Sequence, residues 1–229
     1  VDDFVKFLSY MEKKYSQQTA KLAEITIRQY LFTAGKDKLV SEIRRRIRIK
    51  TPQEKPLIYI TDEELNRFFS VIDNDYDYLL FKLLLTAGLR LVDLRSVRVR
   101  DIDFSENKVH VTGKGNKERD VYFSDEVGEM LREYISQRQL RRLDFLISET
   151  DRNIQRKMKL YRERAGIRKK FTPHTLRHTF ATRIAEKSKD ISDLRNLQIL
   201  MGHTNINTTK RYWDYNPEKI KKTHRMVWG

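Results

Sequence analysis

Tyr78-Leu79-Leu80-Phe81-Lys82-Leu83-Leu84-Leu85, running on into Thr86-Ala87-Gly88-Leu89-Arg90, is the stretch on which the fold turns. Its first eight residues are almost continuously apolar, and a helix apolar on all sides is one that other elements surround. Gly88 is the stop signal, because glycine accepts the left-handed backbone that ends a helix. The pattern predicts a buried central helix with Arg90 just beyond its end. Upstream, Thr61-Asp62-Glu63-Glu64 has the form of a capping box, Thr61 capping and Glu64 reaching back, so a helix begins there. Downstream, Ile102-Asp103-Phe104 and Val109-His110-Val111 alternate around Ser105-Glu106-Asn107, and Val111 and Val121-Tyr122-Phe123 flank a turn from Gly113 to Lys117. This predicts a three-stranded antiparallel sheet with Lys114 at its tip. Thr172 caps a further helix with Pro173 in its first position, where a missing donor costs nothing. His174 and Arg177 then share one face. The fold class is mainly α with a small antiparallel β-sheet.

The first third of the chain stands apart. Phe4, Phe7, Leu8 and Met11 recur at helical spacing, and Leu22, Ile25, Tyr30 and Leu31 continue the pattern after a polar break, predicting two or three short helices. Arg44-Arg45-Arg46-Ile47-Arg48-Ile49-Lys50 then leads into Thr51-Pro52-Gln53-Glu54-Lys55-Pro56, whose prolines discourage further helix. A boundary is expected near residue 55, separating a short helical domain with a basic linker, residues 1–55, from a larger domain, residues 56–229.

Lysine and arginine outnumber aspartate and glutamate 47 to 32 in 229 residues, a net charge of +15 that favours a polyanion as partner. Nucleic acid is the first candidate, with Arg44, Arg45, Arg46 and Arg48 as backbone contacts. The absence of cysteine excludes a disulfide framework, a thiolate metal site and a cysteine nucleophile. No apolar run reaches the roughly 18 residues that span a bilayer, and Val1-Asp2-Asp3-Phe4 is no signal peptide. The protein is expected to be soluble and cytoplasmic, with no membrane partner.

One set of side chains carries chemistry: Arg90, Lys114, His174, Arg177, His203 and Tyr212. A tyrosine hydroxyl, with a free pKa of about 10, is a weak nucleophile and needs neighbours that stabilise the phenolate or accept its proton. Two guanidiniums and two imidazoles meet that need, and the cations suit a phosphate. Each residue has a plainer reading. Arg90 alone would be a solvated surface group, although Asp93, three residues on, is placed to orient it. Lys114 between two glycines would be a hairpin charge; no phosphate-binding loop frame surrounds it. His174 and His178, four apart, suggest a metal site, but Arg177 sets a fixed positive charge beside them and no glutamate follows the first histidine. An anion is the better ligand, no metal or cofactor is implied, and His178 is expected to pack or hydrogen-bond behind the site. His203 could end a helix, and Tyr212 could be an ordinary aromatic. Its interval of nine residues from His203 sets it apart from Tyr215.

The strings Thr86-Ala87-Gly88-Leu89-Arg90, Gly113-Lys114-Gly115, Pro173-His174-Thr175-Leu176-Arg177-His178 and Met201-Gly202-His203 followed by Tyr212 resemble the tyrosine recombinase family, the phage integrase and Xer-like enzymes. The resemblance runs from about Leu57 to about Arg225. It implies a small core-binding domain ahead of a catalytic domain, the two clamping double-stranded DNA, and a homotetramer assembled on two DNA sites through C-terminal helices, one of which would start at Pro217-Glu218-Lys219-Ile220-Lys221-Lys222. It implies that Tyr212 attacks a phosphodiester to give a 3′-phosphotyrosyl link and a free 5′-hydroxyl. Arg90 and Arg177 would hold the non-bridging oxygens and Lys114 would protonate the leaving oxygen. His174 would accept the tyrosine proton, and His203 would hydrogen-bond the scissile phosphate. The alternatives are a DNA-binding protein that keeps the fold without catalysis and a type IB topoisomerase-like enzyme.

Overall fold

The computed structural model describes residues 1–51, 58–113, 117–188, 190–203 and 205–214. Contacts divide the chain into two compact units, Val1–Lys55 and Pro56–Gly229.

Among its described residues the first unit holds three helices, α1 (Asp2–Lys14), α2 (Gln17–Thr33) and α3 (Asp37–Arg46). Ser16 caps α2 by accepting the Thr19 amide. Leu8, Ala20, Leu31, Ile43 and Ile49 form the core. One carboxylate is buried with them: Glu24 is ion-paired to Lys21 at 2.6 Å and to Arg28 at 3.0 Å. Burial opposes its charge, but those two cations outweigh burial and hold its pKa below the usual range. Lys21 also donates to the Ile49 carbonyl at 2.8 Å, tying the segment after α3 to α2. The arginine run differs from its expected place in a linker. Arg44, Arg45 and Arg46 form the last turn of α3, where cations meet the negative end of the helix dipole. The helix ends at Ile47, whose backbone is extended, five residues ahead of Pro52, so the arginines lie inside the helix and not beyond it.

The second unit continues with α4 (Asp62–Ser70), α5 (Asp75–Ala87), α6 (Leu91–Ser96), β1 (Ile102–Asp103), β2 (Lys108–Gly113) and β3 (Lys117–Tyr122). Its described residues go on to form α7 (Asp125–Gln137), α8 (Asp151–Arg164), α9 (Pro173–Lys187), α10 (Ile191–Met201) and α11 (Ile206–Asp214). The capping box at Thr61 and Glu64 is present on α4. Helix α5 is central: Leu79, Leu80, Phe81, Leu83 and Leu84 are all buried, and Phe81 meets Phe68 edge-on at 5.4 Å. Gly88 ends it in the left-handed conformation at φ 60°. The sheet is antiparallel in the order β1-β2-β3. Strand β3 starts four residues before the expected Val121, because Lys117 to Asp120 pair with β2 through the backbone while being polar residues, which a search for apolar alternation does not reveal. Arg119 falls opposite Val111, in line with buried Val109 and Val121, so it points inward.

Helix α9 packs against α5, α10 and α11. Thr172 caps it and Pro173 opens it, as the spacing predicts. It is buried on more faces than its polar sequence suggests, because most of its buried residues, Thr175, Thr179, Ala181, Thr182 and Ala185 among them, are small. The Thr179 hydroxyl accepts the Ile60 amide at 3.0 Å and donates to the Thr175 carbonyl at 2.9 Å. A separate apolar cluster, Ala181, Ala185, Leu197, Met201 and Tyr212, joins α9, α10 and α11. Among the described residues no helix is long and apolar enough to cross a membrane.

Candidate active site

The site forms where α10 ends. A helix C-terminus leaves its last carbonyls unpaired and carries partial negative charge. Here three guanidiniums take those carbonyls. Arg119 donates to Leu200 at 3.3 Å, Arg177 donates to Met201, and Arg90 donates to Gly202 at 3.3 Å. Arg177 also donates to the Gly88 carbonyl, fastening the end of α5 to the end of α10. Gly202 is left-handed at φ 58°, and a Cβ there would lie 3.1 Å from the Arg119 guanidinium. The left-handed turn and the close approach both require glycine.

Asp93 is the carboxylate that organises the cluster. It pairs with Arg119 at 2.6 Å and lies 3.6 Å from Arg90. Arg90 keeps a third of its side chain exposed, whereas Arg177 is 4 % exposed. Burial, then the charges of Arg90 and Arg119, push Arg177 down to about 10, so it remains a cation at neutral pH. The excess of positive charge calls for an anion.

Against the guanidiniums lie two imidazoles and a phenol. His203 Nε2 is 3.4 Å from Arg177, which has only donors, so Nε2 accepts. Nδ1 then carries the proton and donates to the buried Thr209 hydroxyl at 2.8 Å. Burial, reinforced by Arg177 and Arg90, pushes His203 down to about 4. Because the unfolded histidine takes its proton first as pH falls, His203 leaves stability intact above about 6.5 and lowers it progressively from there to about 4. The loss should be on the order of 2–3 kcal/mol, seen as a fall in thermal midpoint between pH 7 and pH 4.5. His203→Asn should flatten that fall, and an unaltered pH dependence in the variant would exclude this source.

Tyr212 is 4 % exposed. Its hydroxyl is 2.6 Å from His178 Nδ1, and its ring lies nearly parallel to that of His203, 6.4 Å away. Burial raises its pKa, against the opposing pull of Arg177, Arg211 and Arg90. His178 is lowered by burial and by His174, Arg177 and Arg211. Both partners are therefore neutral near pH 7, with the phenol donating and the imidazole accepting.

The fold thus brings Arg90, Asp93, Arg177, His178, His203 and Tyr212 together. His174 lies exposed on the first turn of α9, and the contact with the phenol expected of it is made instead by His178, one helical turn further on. His178, expected to pack or hydrogen-bond behind the site, makes its hydrogen bond to Tyr212. Lys114 and the segment from Pro217 lie outside the described residues, although β2 and β3 pair as far as Gly113 and Lys117 on either side of Lys114. Arg119 and Thr209 were not anticipated; the signal for Arg119 was its place two residues before Val121, on the inward face of a strand. Among the described residues no three histidine, aspartate or glutamate side chains converge in a way that could hold a metal ion. In the first unit, Arg44 and Arg48 join Lys21, Glu24 and Arg28 around a cleft of about 370 Å³.

The pattern of the phage integrase family matches residues 59–219. The chain belongs to the phage integrase family of tyrosine recombinases. It is 33% identical to tyrosine recombinase XerA of Thermococcus onnurineus, over 97% of this chain and 80% of that protein. It is also 33% identical to tyrosine recombinase XerC of Vibrio cholerae, over 66% of this chain and 51% of the relative. A crystal structure of XerA recombinase matches the recombinase with a TM-score of 0.65 at 25% identity, covering 100% of this chain and 82% of that one. The Tn1549 transposon integrase in complex with circular intermediate DNA shares the fold at a TM-score of 0.72 and 22% identity, over 93% of this chain and 80% of that one. The recombinase is therefore a site-specific enzyme that cleaves and rejoins DNA strands. These relatives are recombinases and an integrase, and they lend no support to a binding-only protein or a topoisomerase.

Proposed function

We propose that Tyr212 is the nucleophile of this recombinase and that the ring of cations at the end of α10 receives the scissile phosphate of double-stranded DNA. The observation that carries this reading is the convergence of Arg90, Arg177, His178, His203 and Tyr212 on one helix end, with Asp93 paired to Arg90 and Arg119 beside them. The Tyr212 oxygen attacks phosphorus and the bond to the 5′-oxygen breaks, leaving a 3′-phosphotyrosyl link and a 5′-hydroxyl. A 5′-hydroxyl from another strand reverses the step, and the covalent link conserves the bond energy. Arg90 and Arg177 have donors to spare for the two non-bridging oxygens, where positioned donors commonly give the largest catalytic term. The charge of the phosphate restores a proton to His203, which then donates to it. Lys114 protonates the leaving 5′-oxygen, His174 faces the substrate from the exposed turn of α9, and Asp93 orients Arg90. Neither a metal nor a cofactor takes part.

Residues 1–55 form the core-binding domain and residues 56–229 the catalytic domain. Arg44, Arg45, Arg46 and Arg48 contact the DNA backbone, so the logarithm of affinity should fall by about 0.9 per phosphate neutralised for each tenfold rise in salt. XerH bound to its difH substrate and the Tn1549 integrase on its circular intermediate DNA are relatives by fold that hold DNA, and that likeness supports duplex DNA as partner. Assembly is as a homotetramer on two sites, for integration, excision or dimer resolution in the cytoplasm.

The test is a pool of nicked suicide duplexes with a randomised core, resolved on a denaturing gel. The native chain should form a covalent adduct and Tyr212→Phe none, while both bind DNA. An adduct that persists in Tyr212→Phe would move the nucleophile elsewhere, with Tyr215 the first candidate.

A further inference from the structure

We propose that His178 takes the proton of Tyr212 as the phenol attacks, which makes it a catalytic residue in its own right. The inference rests on Tyr212 being the nucleophile. Among the described residues three imidazoles lie near the site, and geometry separates them. His178 Nδ1 is 2.6 Å from the phenolic oxygen, a short bond between two neutral groups. His203 faces the same ring, yet Arg177 engages its Nε2 and Thr209 its Nδ1, so it has no acceptor to spare. His174 projects from the exposed first turn of α9 and makes no bond to Tyr212. Tyr212 is itself buried, so bulk water is not the acceptor.

The surroundings make this acceptor conditional on substrate. His178 is faced by His174 and Arg177 from α9, by Arg211 and Tyr212 from α11, and by His203 just ahead of α11. Burial and the cations among these neighbours keep His178 neutral, which suits accepting a hydrogen bond. They also oppose an imidazolium, so in the free protein the proton stays on the phenol. A phosphate bound by Arg90 and Arg177 brings the negative charge that lets His178 become cationic. In the step, the Tyr212 oxygen bonds to phosphorus as its proton moves to His178 Nδ1. The bond from phosphorus to the 5′-oxygen breaks, and that oxygen takes a proton from Lys114. Rejoining returns the His178 proton to the phenol. Nucleophile activation is thereby coupled to DNA occupancy.

The closing experiment uses the nicked duplex selected by the native chain and follows the adduct rate against pH for native, His178→Asn, His174→Asn and Tyr212→Phe proteins, with DNA binding measured in parallel. Asparagine places an amide oxygen near the position of Nδ1, keeping the hydrogen bond without the ability to take a proton. The native rate should rise with pH as His178 loses its proton. His178→Asn should bind DNA normally, react about 10²–10⁴-fold more slowly and lose that limb, whereas His174→Asn should keep it. Nitrogen NMR of the free native protein should show His178 Nδ1 unprotonated, with its shift altered in Tyr212→Phe. A native rate or a retained limb in His178→Asn, loss of the limb in His174→Asn, or a protonated Nδ1 would each overturn the proposal. An adduct in Tyr212→Phe would remove the nucleophile itself, a failure of a different kind that brings the proposal down with it.

Discussion

Arg177→Ala should form the covalent adduct about 10³-fold more slowly than the native chain, or worse, since removing one positioned donor commonly costs about 10²–10³ and Arg177 does more than donate. In the free protein its guanidinium bridges the carbonyls of Gly88 and Met201 and sits against His203. Alanine would leave two buried carbonyls without a donor, at about 1–3 kcal/mol each, and would free the ends of α5 and α10 from one another. Against that loss stands a gain. Burial lowers Arg177 to about 10, so holding the charge costs the folded state on the order of 3 kcal/mol, which the carbonyls partly offset. Net stability should therefore fall modestly while the rate falls steeply. Arg177→Lys separates the two effects. A point charge cannot span both carbonyls, so lysine should keep the fold and most of the DNA affinity but recover little of the rate. Thermal unfolding together with single-turnover adduct formation reads both quantities, and a rate within tenfold of native for Arg177→Ala would refute the assignment.

Gly88→Ala should be the most damaging single-methyl change in the second unit. Gly88 has φ +60°, a conformation that costs an L-residue roughly 1–2 kcal/mol, and the added Cβ would meet the Phe180 ring at 2.3 Å. Such overpacking commonly costs about 1–3 kcal/mol. Together these come to about 3 kcal/mol or more, a drop in thermal midpoint of roughly 6–12 °C for a unit of this size. Activity should fall as well, because any shift of the Gly88 carbonyl moves the acceptor that holds Arg177. Gly35 is a useful contrast. It is also left-handed, at φ +67°, but nothing lies within 4 Å of its Cβ position, so Gly35→Ala carries the backbone strain alone. Equal losses from the two substitutions would mean that Phe180 yields freely and that the packing argument is wrong.

Helices α4, α5 and α9 and the sheet were legible from signals that act over a few residues, whereas α6, α7, α8, α10 and α11 were not anticipated from them. The capping box at Thr61, the cap at Thr172, the apolar run of α5, its stop at Gly88 and the alternation in β2 each depend on backbone donors and side chains within one or two turns. The arginine run was harder to place, because basic composition alone does not distinguish the last turn of a helix from a linker. Strand β3 was read too short for a related reason. Its first four residues are polar, and their pairing with β2 is invisible to a search for apolar alternation.

The sequence by itself determined helices α4, α5 and α9, the small antiparallel sheet and the fold class, and it singled out the candidate reactive groups: a tyrosine, guanidiniums and imidazoles. Those properties are local, carried by residue type and spacing. Which imidazole meets the phenol was not local. His174 and His178 are one turn apart on the same helix, and only the packing of α11 against α9 decides that Tyr212 reaches the second of them. Nor was it local that Arg119, Arg177 and Arg90, from three elements spread over nearly ninety residues, would take three successive carbonyls at the end of α10. A helix terminus presents its unpaired carbonyls to whatever lies closest in space, and the tertiary structure alone decides what that is.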